Sequence, residues 1–467
     1  MSELPFGLDE ALLSRLAVSG PRYTSYPTAP EWSADFGPGD ASAAYARAAQ
    51  RPDEPLSLYV HLPFCSRLCL YCGCTVEISG RPDRADSYLD AVERELELLA
   101  PQLGARRTLT QLHWGGGTPT FLSVPRLQRL HALISKHFTF RSDAEVSVEV
   151  DPHVTSAEQV SALVDLGFNR VSMGVQDLDA RVQHAVRREQ TSDETHDLVA
   201  HCRAAGVEGL NIDLMYGLPE QTEQGFAATL DAVAALAPDR LAVFGYAHVP
   251  WLKPAQKALE DYALPDAPTR ARLFGLALQK LVAADYQVVG LDHFAKRDDS
   301  LMHALRDGRL HRNFMGYAVR AAEDMLGVGM SSIGEVAGAF IQNARDTKTY
   351  EAELAAGRLP VIRGLHRSAE DELRRAVILS LMCQMRISWP ELEQATGRTQ
   401  LAAHFASEWE ALKPFADLGM CTMSSDALQV TEVGRLFLRH MAMLFDESLA
   451  KRAQDQGDQG PRFSKTL

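Results

Sequence analysis

The chain has 467 residues, 46% hydrophobic and 23% charged, with a formal net charge of −14. That composition fits a folded chain rather than a disordered or collagen-like one, and the length asks for a large domain with smaller attachments. The negative balance speaks against non-specific nucleic-acid binding and against an anionic membrane surface. No apolar run reaches the roughly 18 residues of a transmembrane helix, and MSELPFGLDEALLSRL lacks the order of a secretory signal, so a cytoplasmic protein is expected.

Residues 1–50 read as an irregular N-terminal arm containing PRYTSYPTAPEW. A rhythm of short apolar runs and amphipathic helices follows. Strand-like runs are LSLYVHL, TLTQLHW, AEVSVEV, RVSMGVQ, GLNIDLMYGL and RLAVFGYAHV; helical patterns between them include DSYLDAVERELELL, VPRLQRLHALISKHF and TSAEQVSALVDLG. Parallel strands need crossover helices, so this alternation predicts about six βα units, as an incomplete α/β barrel or a doubly wound sheet. A helix (TRARLFGLALQKLVAA), a short strand (YQVVGL) and a loop-rich stretch to about residue 362 complete a catalytic region over 51–365. Residues 366–467 read as a small, mainly helical, winged-helix-like domain with two short extended runs.

The strongest chemical signal is HLPFCSRLCLYCGC, which places Cys65, Cys69 and Cys72 in C-x3-C-x2-C spacing with Cys74 beside them. Three thiolates on one tight loop can hold three irons of a 4Fe–4S cubane and leave the fourth open to a small molecule. Structural zinc is the alternative, but it wants four ligands, normally as two separated pairs, and the second pair is missing. Cys202, Cys383 and Cys421 stand alone in apolar or helical contexts and read as core residues. Cys74 is ambiguous: a fourth ligand, a catalytic thiol and a packed side chain are all open. Its i, i+2 relation to Cys72 makes ligation of the same cubane awkward, which favours a role supporting the cluster ligands or facing substrate.

The C-x3-C-x2-C spacing with Tyr71 before its last cysteine resembles the signature of the radical S-adenosylmethionine (SAM) superfamily. Within it, the chain resembles the oxygen-independent coproporphyrinogen III oxidase family through PRYTSYPTAP, SLYVHLPFC, HWGGGTPT, SVEVDP, GVQD, NIDLMYGLP, GLDHFA, HRNFMGY and RFSKTL. Each motif alone is weak; their order and completeness carry the match. The resemblance implies a partial (β/α)6 barrel, a 4Fe–4S cluster and SAM bound at the open iron, with a second SAM beside the first. A 5′-deoxyadenosyl radical then initiates loss of carbon dioxide from two propionates of coproporphyrinogen III, giving the vinyl groups of protoporphyrinogen IX. An electron donor such as flavodoxin or ferredoxin is implied, and a monomer is expected.

By the family pattern Tyr59, Gly116, Glu149 and Ile333 surround the first SAM, and Gly117, Thr118, Gln176, Arg188, Asp213 and Ala247 the second; Tyr59 and Cys74 are the candidate catalytic side chains. Most are expected where barrel strands end, with Tyr59 after the first strand and Ala247 ending the sixth. Taken singly they have plainer explanations: a tight turn for the glycines, a helix cap for Glu149, an exposed helix charge for Arg188 and core packing for Ala247 and Ile333. The substrate carries four carboxylates, so Arg22 or Arg312 is a candidate partner, with Tyr23 in a lid or substrate role. One departure stands out: after HRNFMGY the family commonly has threonines, and this chain has Ala318 and Val319. Rival functions are a haem chaperone of the same family, which usually lacks Cys74 and the PRYTSYPT arm, and another tetrapyrrole-modifying radical SAM protein.

Overall fold

The computed structural model describes residues 9–81, 83–319, 322–454 and 463–466. The first eight residues of the segment considered as a signal, and Arg462 and Leu467 of RFSKTL, lie outside them.

Six parallel strands follow one another in sheet order: β1 (Leu56–Leu62), β2 (Thr108–Gly116), β3 (Thr139–Val150), β4 (Arg170–Gln176), β5 (Gly209–Tyr216) and β6 (Arg240–Gly245). Each is reached through crossover helices: α1 (Arg84–Leu99), α2 (Val124–Ser135), α3 (Ala157–Asp165), α4 (Ser192–Ala205) and α5 (Glu223–Ala235). The helices start where sequence chemistry says they should. Ser156 with Gln159 and Thr191 with Glu194 form reciprocal capping boxes, satisfying backbone amides that no helical turn can. Their apolar faces and the outward strand residues form one core, with Leu58, Leu112, Val148, Met173 and Ile212 all buried.

The barrel does not close on itself. Beyond β6 the sheet continues antiparallel through β7 (Tyr286–Gly290) and β8 (His293–Lys296), with β8 against β6. A hairpin of β9 (His311–Asn313) and β10 (Gly316–Ala318) stands apart from the sheet. Beyond β1 the sheet takes up β11 (Asp324–Val328, parallel), β12 (Ile333–Val336), β13 (Ala339–Asn343) and β14 (Val361–His366). The stretch after YQVVGL to about residue 362, expected to be loop-rich, therefore supplies β8, β11, β12, β13 and the start of β14 to the main sheet. β11 and β13 are buried along their whole length, so neither shows polar–apolar alternation, and runs this short carry little periodicity.

The arm is also more ordered than expected. Pro38–Ala48 forms a helix whose Ala41, Ala44, Tyr45 and Ala48 join the barrel core, a small-residue face of weak hydrophobic contrast. Tyr23 and Tyr26, by contrast, pack into a second core with Leu381, Trp389, Phe405 and Met441 from the C-terminal region. There the long helix Ala369–Gln384 lies beside a three-stranded sheet of Arg386–Ser388, Ala427–Val430 and Cys421–Met423, three extended runs where two were expected. Cys202, Cys383 and Cys421 are core residues, as expected, each at most 3% exposed. Among the described residues, no helix is long and apolar enough to cross a membrane.

Candidate active site

Along β2 to β5 every second side chain points inward, and in this barrel those residues are polar: Gln111 and His113, Glu145 and Ser147, Arg170 and Ser172, Asn211 and Asp213. Register sets them side by side, with His113 opposite Ser147, Glu149 opposite Ser172 and Ser172 opposite Asn211. The barrel interior is thus a polar chamber of about 320 Å³ instead of a packed core. Above it, at the carboxyl ends of the strands, the cysteine loop closes over a cavity of about 400 Å³. Arg22, Glu149, Ser172, Asp213 and Phe244 line both spaces.

The cysteine loop is held by backbone. Gly117 donates to Leu62 O at 2.7 Å and Thr118 to Phe64 O at 2.8 Å, so the glycine loop after β2 grips the chain leaving β1. A Cβ on Gly117 would stand 2.6 Å from Phe64 O and 2.8 Å from Leu62 O; one on Gly115 would meet the Glu149 carboxylate at 2.8 Å. Gly116, at φ +110, leaves a Cβ no place beside the His61 ring and donates its amide to Glu149 Oε2 at 3.0 Å. The three glycines are required by close approach on three sides, which is more than a turn needs.

Cys65, Cys69, Cys72 and Cys74 are all free thiols lining the cavity. Among the described residues no three His, Cys, Asp or Glu side chains converge on a single-ion site. Cys65, Cys69 and Cys72, on one loop and facing one cavity, fit a cubane cluster, in which each thiolate meets a different iron. A hydrogen bond with Cys74 draws the Cys72 thiol down to about 6, helped by the Lys253 and Arg188 charges, while burial pushes Cys65 up to about 11. Cys74 donates its amide to Cys72 Sγ at 3.4 Å and is exposed to the cavity.

Arg188 is not an exposed helix charge. It lies beyond the helix Ala180–Ala185, is 8% exposed, pairs with Asp151 at 3.1 Å, donates to Gly174 O at 2.6 Å and reaches Cys69 Sγ at 3.5 Å. Gln176 ends β4 at φ +68, beside Gly174, where a Cβ would meet both Gln176 and Arg188. Asp213 accepts from Asn211 at 2.7 Å and Ser172 at 3.3 Å; burial, then the Glu149 charge, push its carboxyl up to about 6. Burial acts on Glu149 in the same direction, but hydrogen bonds from His113 and the Gly116 amide outweigh it and hold that carboxyl below the usual range.

Gly116, Gly117, Thr118, Glu149, Gln176, Arg188, Asp213 and Ala247 line the upper cavity with the four cysteines. Tyr59 and Ile333 are set apart from its lining. Tyr59 sits within β1 rather than after it, hydrogen-bonded to His61 at 3.0 Å and stacked on His113. Its register partner Gly327 packs directly against the backbone of Ile333, so these two share a neighbourhood at the barrel's open side. Ala247 lies two residues past β6, which ends at Gly245 where the chain turns into the segment before Pro254.

Four residues escaped the sequence analysis. His61 bridges Tyr59 to Thr75 O, His113 bridges Ser147 to Glu149, and Asp292 pairs with His293 at 2.8 Å by the lower chamber. Their signal was present for His113: polar residues at alternate positions of strands otherwise buried.

Residues 59–233 match the family model of the radical SAM superfamily, and residues 368–437 that of the HemN C-terminal domain. The chain is 43% identical over 468 residues to the oxygen-independent coproporphyrinogen III oxidase of Salmonella typhimurium, covering 100% of both chains. It is 42% identical over 468 residues to that of Escherichia coli, again 100% of each. Among solved structures it is similar to coproporphyrinogen III oxidase (HemN) from Escherichia coli, described as a radical SAM enzyme, with TM-score 0.88, 41% identity, 96% of this chain and 100% of that one. With its cysteine loop, glycine clamp and open six-stranded barrel, the chain belongs to the oxygen-independent coproporphyrinogen III oxidase family of the radical SAM superfamily.

Proposed function

We propose that the chain converts coproporphyrinogen III to protoporphyrinogen IX without oxygen. The observation that carries this is the triad of free thiols at Cys65, Cys69 and Cys72 facing a cavity at the barrel mouth, in a chain of this family over its full length. When bound, the cluster and SAM would supply a 5′-deoxyadenosyl radical able to take one hydrogen from a propionate. Each of two such side chains would then lose carbon dioxide and pass one electron to a one-electron acceptor, leaving a vinyl group.

The residues of the chain hold and orient. Cys65, Cys69 and Cys72 ligate the cluster, and Arg188 places a cation beside Cys69. The Gly116 backbone admits the amino-acid end of one SAM, with Glu149 accepting from its ammonium and Tyr59 and Ile333 on the outer side. Gly117, Thr118, Gln176, Arg188, Asp213 and Ala247 suit a second SAM, and Cys74, exposed in the cavity, faces substrate. A flavodoxin or ferredoxin supplies the electron, the enzyme works as a cytoplasmic monomer, and the division at about residues 50 and 365 separates arm, catalytic barrel and C-terminal domain.

The test is anaerobic incubation of the iron- and sulfide-loaded protein with SAM, reductant and coproporphyrinogen III, followed by oxidation and chromatography of the porphyrins. Protoporphyrin is the expected product. A loaded cluster that returned only coproporphyrin would overturn the proposal.

A further inference from the structure

The lower chamber contains several cations, most of them paired with an acid and one, Arg22, bonded to a backbone carbonyl without an ion pair among the described residues. Arg240 pairs with Asp299 at 2.9 Å, and Arg170 lies 3.5 Å from Glu145 and 3.7 Å from Asp299. Arg22 donates to Gly245 O. His113 is tied to Ser147 and Glu149, and His293 to Asp292. Arg312 differs. It is 4% exposed, lines the chamber, and two of its three nitrogens, Nε and Nη1, have no hydrogen-bond partner. The third makes only a long contact, 3.5 Å, with Arg22 O, and the guanidinium lies 4.7 Å over the Tyr317 ring. Asp292, whose charge Arg312 feels, is already taken by His293 and is held down to about 2 despite burial by His293, Arg312 and Arg22 together. Among the described residues Arg312 has no carboxylate within ion-pair distance.

A buried guanidinium with idle donors is costly unless an anion from outside completes it. Its planar fork matches a carboxylate. We propose that Arg312 is a carboxylate-binding residue that holds a propionate the reaction leaves intact, a proposal that rests on the function proposed above. Two considerations select a retained propionate over a reacting one. Arg312 lines the lower chamber and not the cysteine cavity, so a carboxylate paired with it stands away from the cluster loop. An ion pair to guanidinium also stabilises the carboxylate charge, which departure of carbon dioxide would remove. The chamber then grips the macrocycle by a side chain that survives while another is presented upward past Glu149, Asp213 and Phe244.

The test measures binding apart from turnover, using coproporphyrin III and its tetramethyl ester titrated into the full chain by fluorescence. Arg312→Gln should weaken binding of the tetra-acid about 10- to 100-fold and leave the ester unchanged. Arg312→Lys should recover part of the loss, since it keeps the charge without the fork. The wild type alone must also prefer acid to ester, which keeps the test decisive should a variant fold poorly. Equal binding of acid and ester by wild type, or equal loss of both in Arg312→Gln, would overturn the site. Absence of protoporphyrin from a loaded wild-type enzyme that still prefers the acid would break the oxidase proposal and leave the carboxylate site standing.

Discussion

The two compartments share a wall but are built by opposite means. The upper cavity is shaped by backbone: Gly115, Gly116 and Gly117 allow approaches that any side chain would block, and Gly117 and Thr118 tie two loops together. The lower chamber is shaped by side chains alternating along four strands; among the described residues Arg22 and Arg312 have no ion pair there, and Arg312 leaves two buried nitrogens without a partner. A ligand carried on a loop needs a fixed backbone frame. A polyanionic ring needs placed cations. One barrel provides both because its strand ends and its interior are separate surfaces.

The sharpest way to break the contrast is to remove one of the thiols proposed to ligate the cluster. Cys69→Ser should abolish iron retention and product formation while leaving the lower chamber able to bind coproporphyrin III; iron and sulfide analysis beside a porphyrin titration checks both halves. Gly117→Ala should come next. Its methyl meets backbone oxygens that cannot swing aside, so a loss of about 1–3 kcal/mol in stability is expected, with poorer cluster retention, read by thermal melting and iron content.

The support behind the upper cavity carries a pH signature. Glu95, 1% exposed, accepts from the Gly329 amide at 2.7 Å, Asn343 at 2.6 Å and Tyr350, bracing the β11–β12 turn. Burial raises its carboxyl from 4.5 to about 7 in spite of those donors. The folded state therefore keeps a proton that the unfolded chain releases above pH 4.5, so this contribution is full below that pH and fades as pH rises through 7. The change amounts to about 3 kcal/mol, and Glu95→Gln should flatten it in melting temperatures taken across the window. Glu149→Gln should be milder, weakening SAM binding about 10-fold by loss of a charged acceptor, as equilibrium dialysis would show. Ala318→Thr should have the smallest effect. Ala318 lines the lower chamber, so restoring a hydroxyl should shift porphyrin affinity by a few-fold at most and leave iron content unchanged.

How much of this was legible in the sequence differs between the compartments. C-x3-C-x2-C, GGGT and the six apolar runs announced the upper cavity, because spacing on a loop and period along a strand are local properties. Arg188 and Gln176 could be named only through the family pattern, since Arg188 is placed by Asp151, just past β3, and by Gly174 in β4, and Gln176 by the positive φ that ends β4. Arg312 was visible as one candidate of two, but its idle nitrogens are a tertiary fact. The open edge was missed because β11 to β13 are short and buried, and its lock is equally non-local: the fully buried Arg106 joins Asp324 at the start of β11 to Ala48 and Glu54 before β1. Tyr23 and Tyr26 sit in an arm by sequence and in the C-terminal core by structure, a pairing across more than 400 positions, with Tyr23 bonded to Asp446.

The central claim is that three thiolates hold a cluster with one iron open to SAM in a cavity distinct from the porphyrin chamber. The most direct measurement is the electron paramagnetic resonance spectrum of the reduced, iron-loaded protein, recorded alone, with SAM and with coproporphyrinogen III. The account predicts a 4Fe–4S signal whose g-values move with SAM and stay in place with the porphyrinogen alone. A signal indifferent to SAM, or a protein that takes up zinc and forms no cluster, would contradict it.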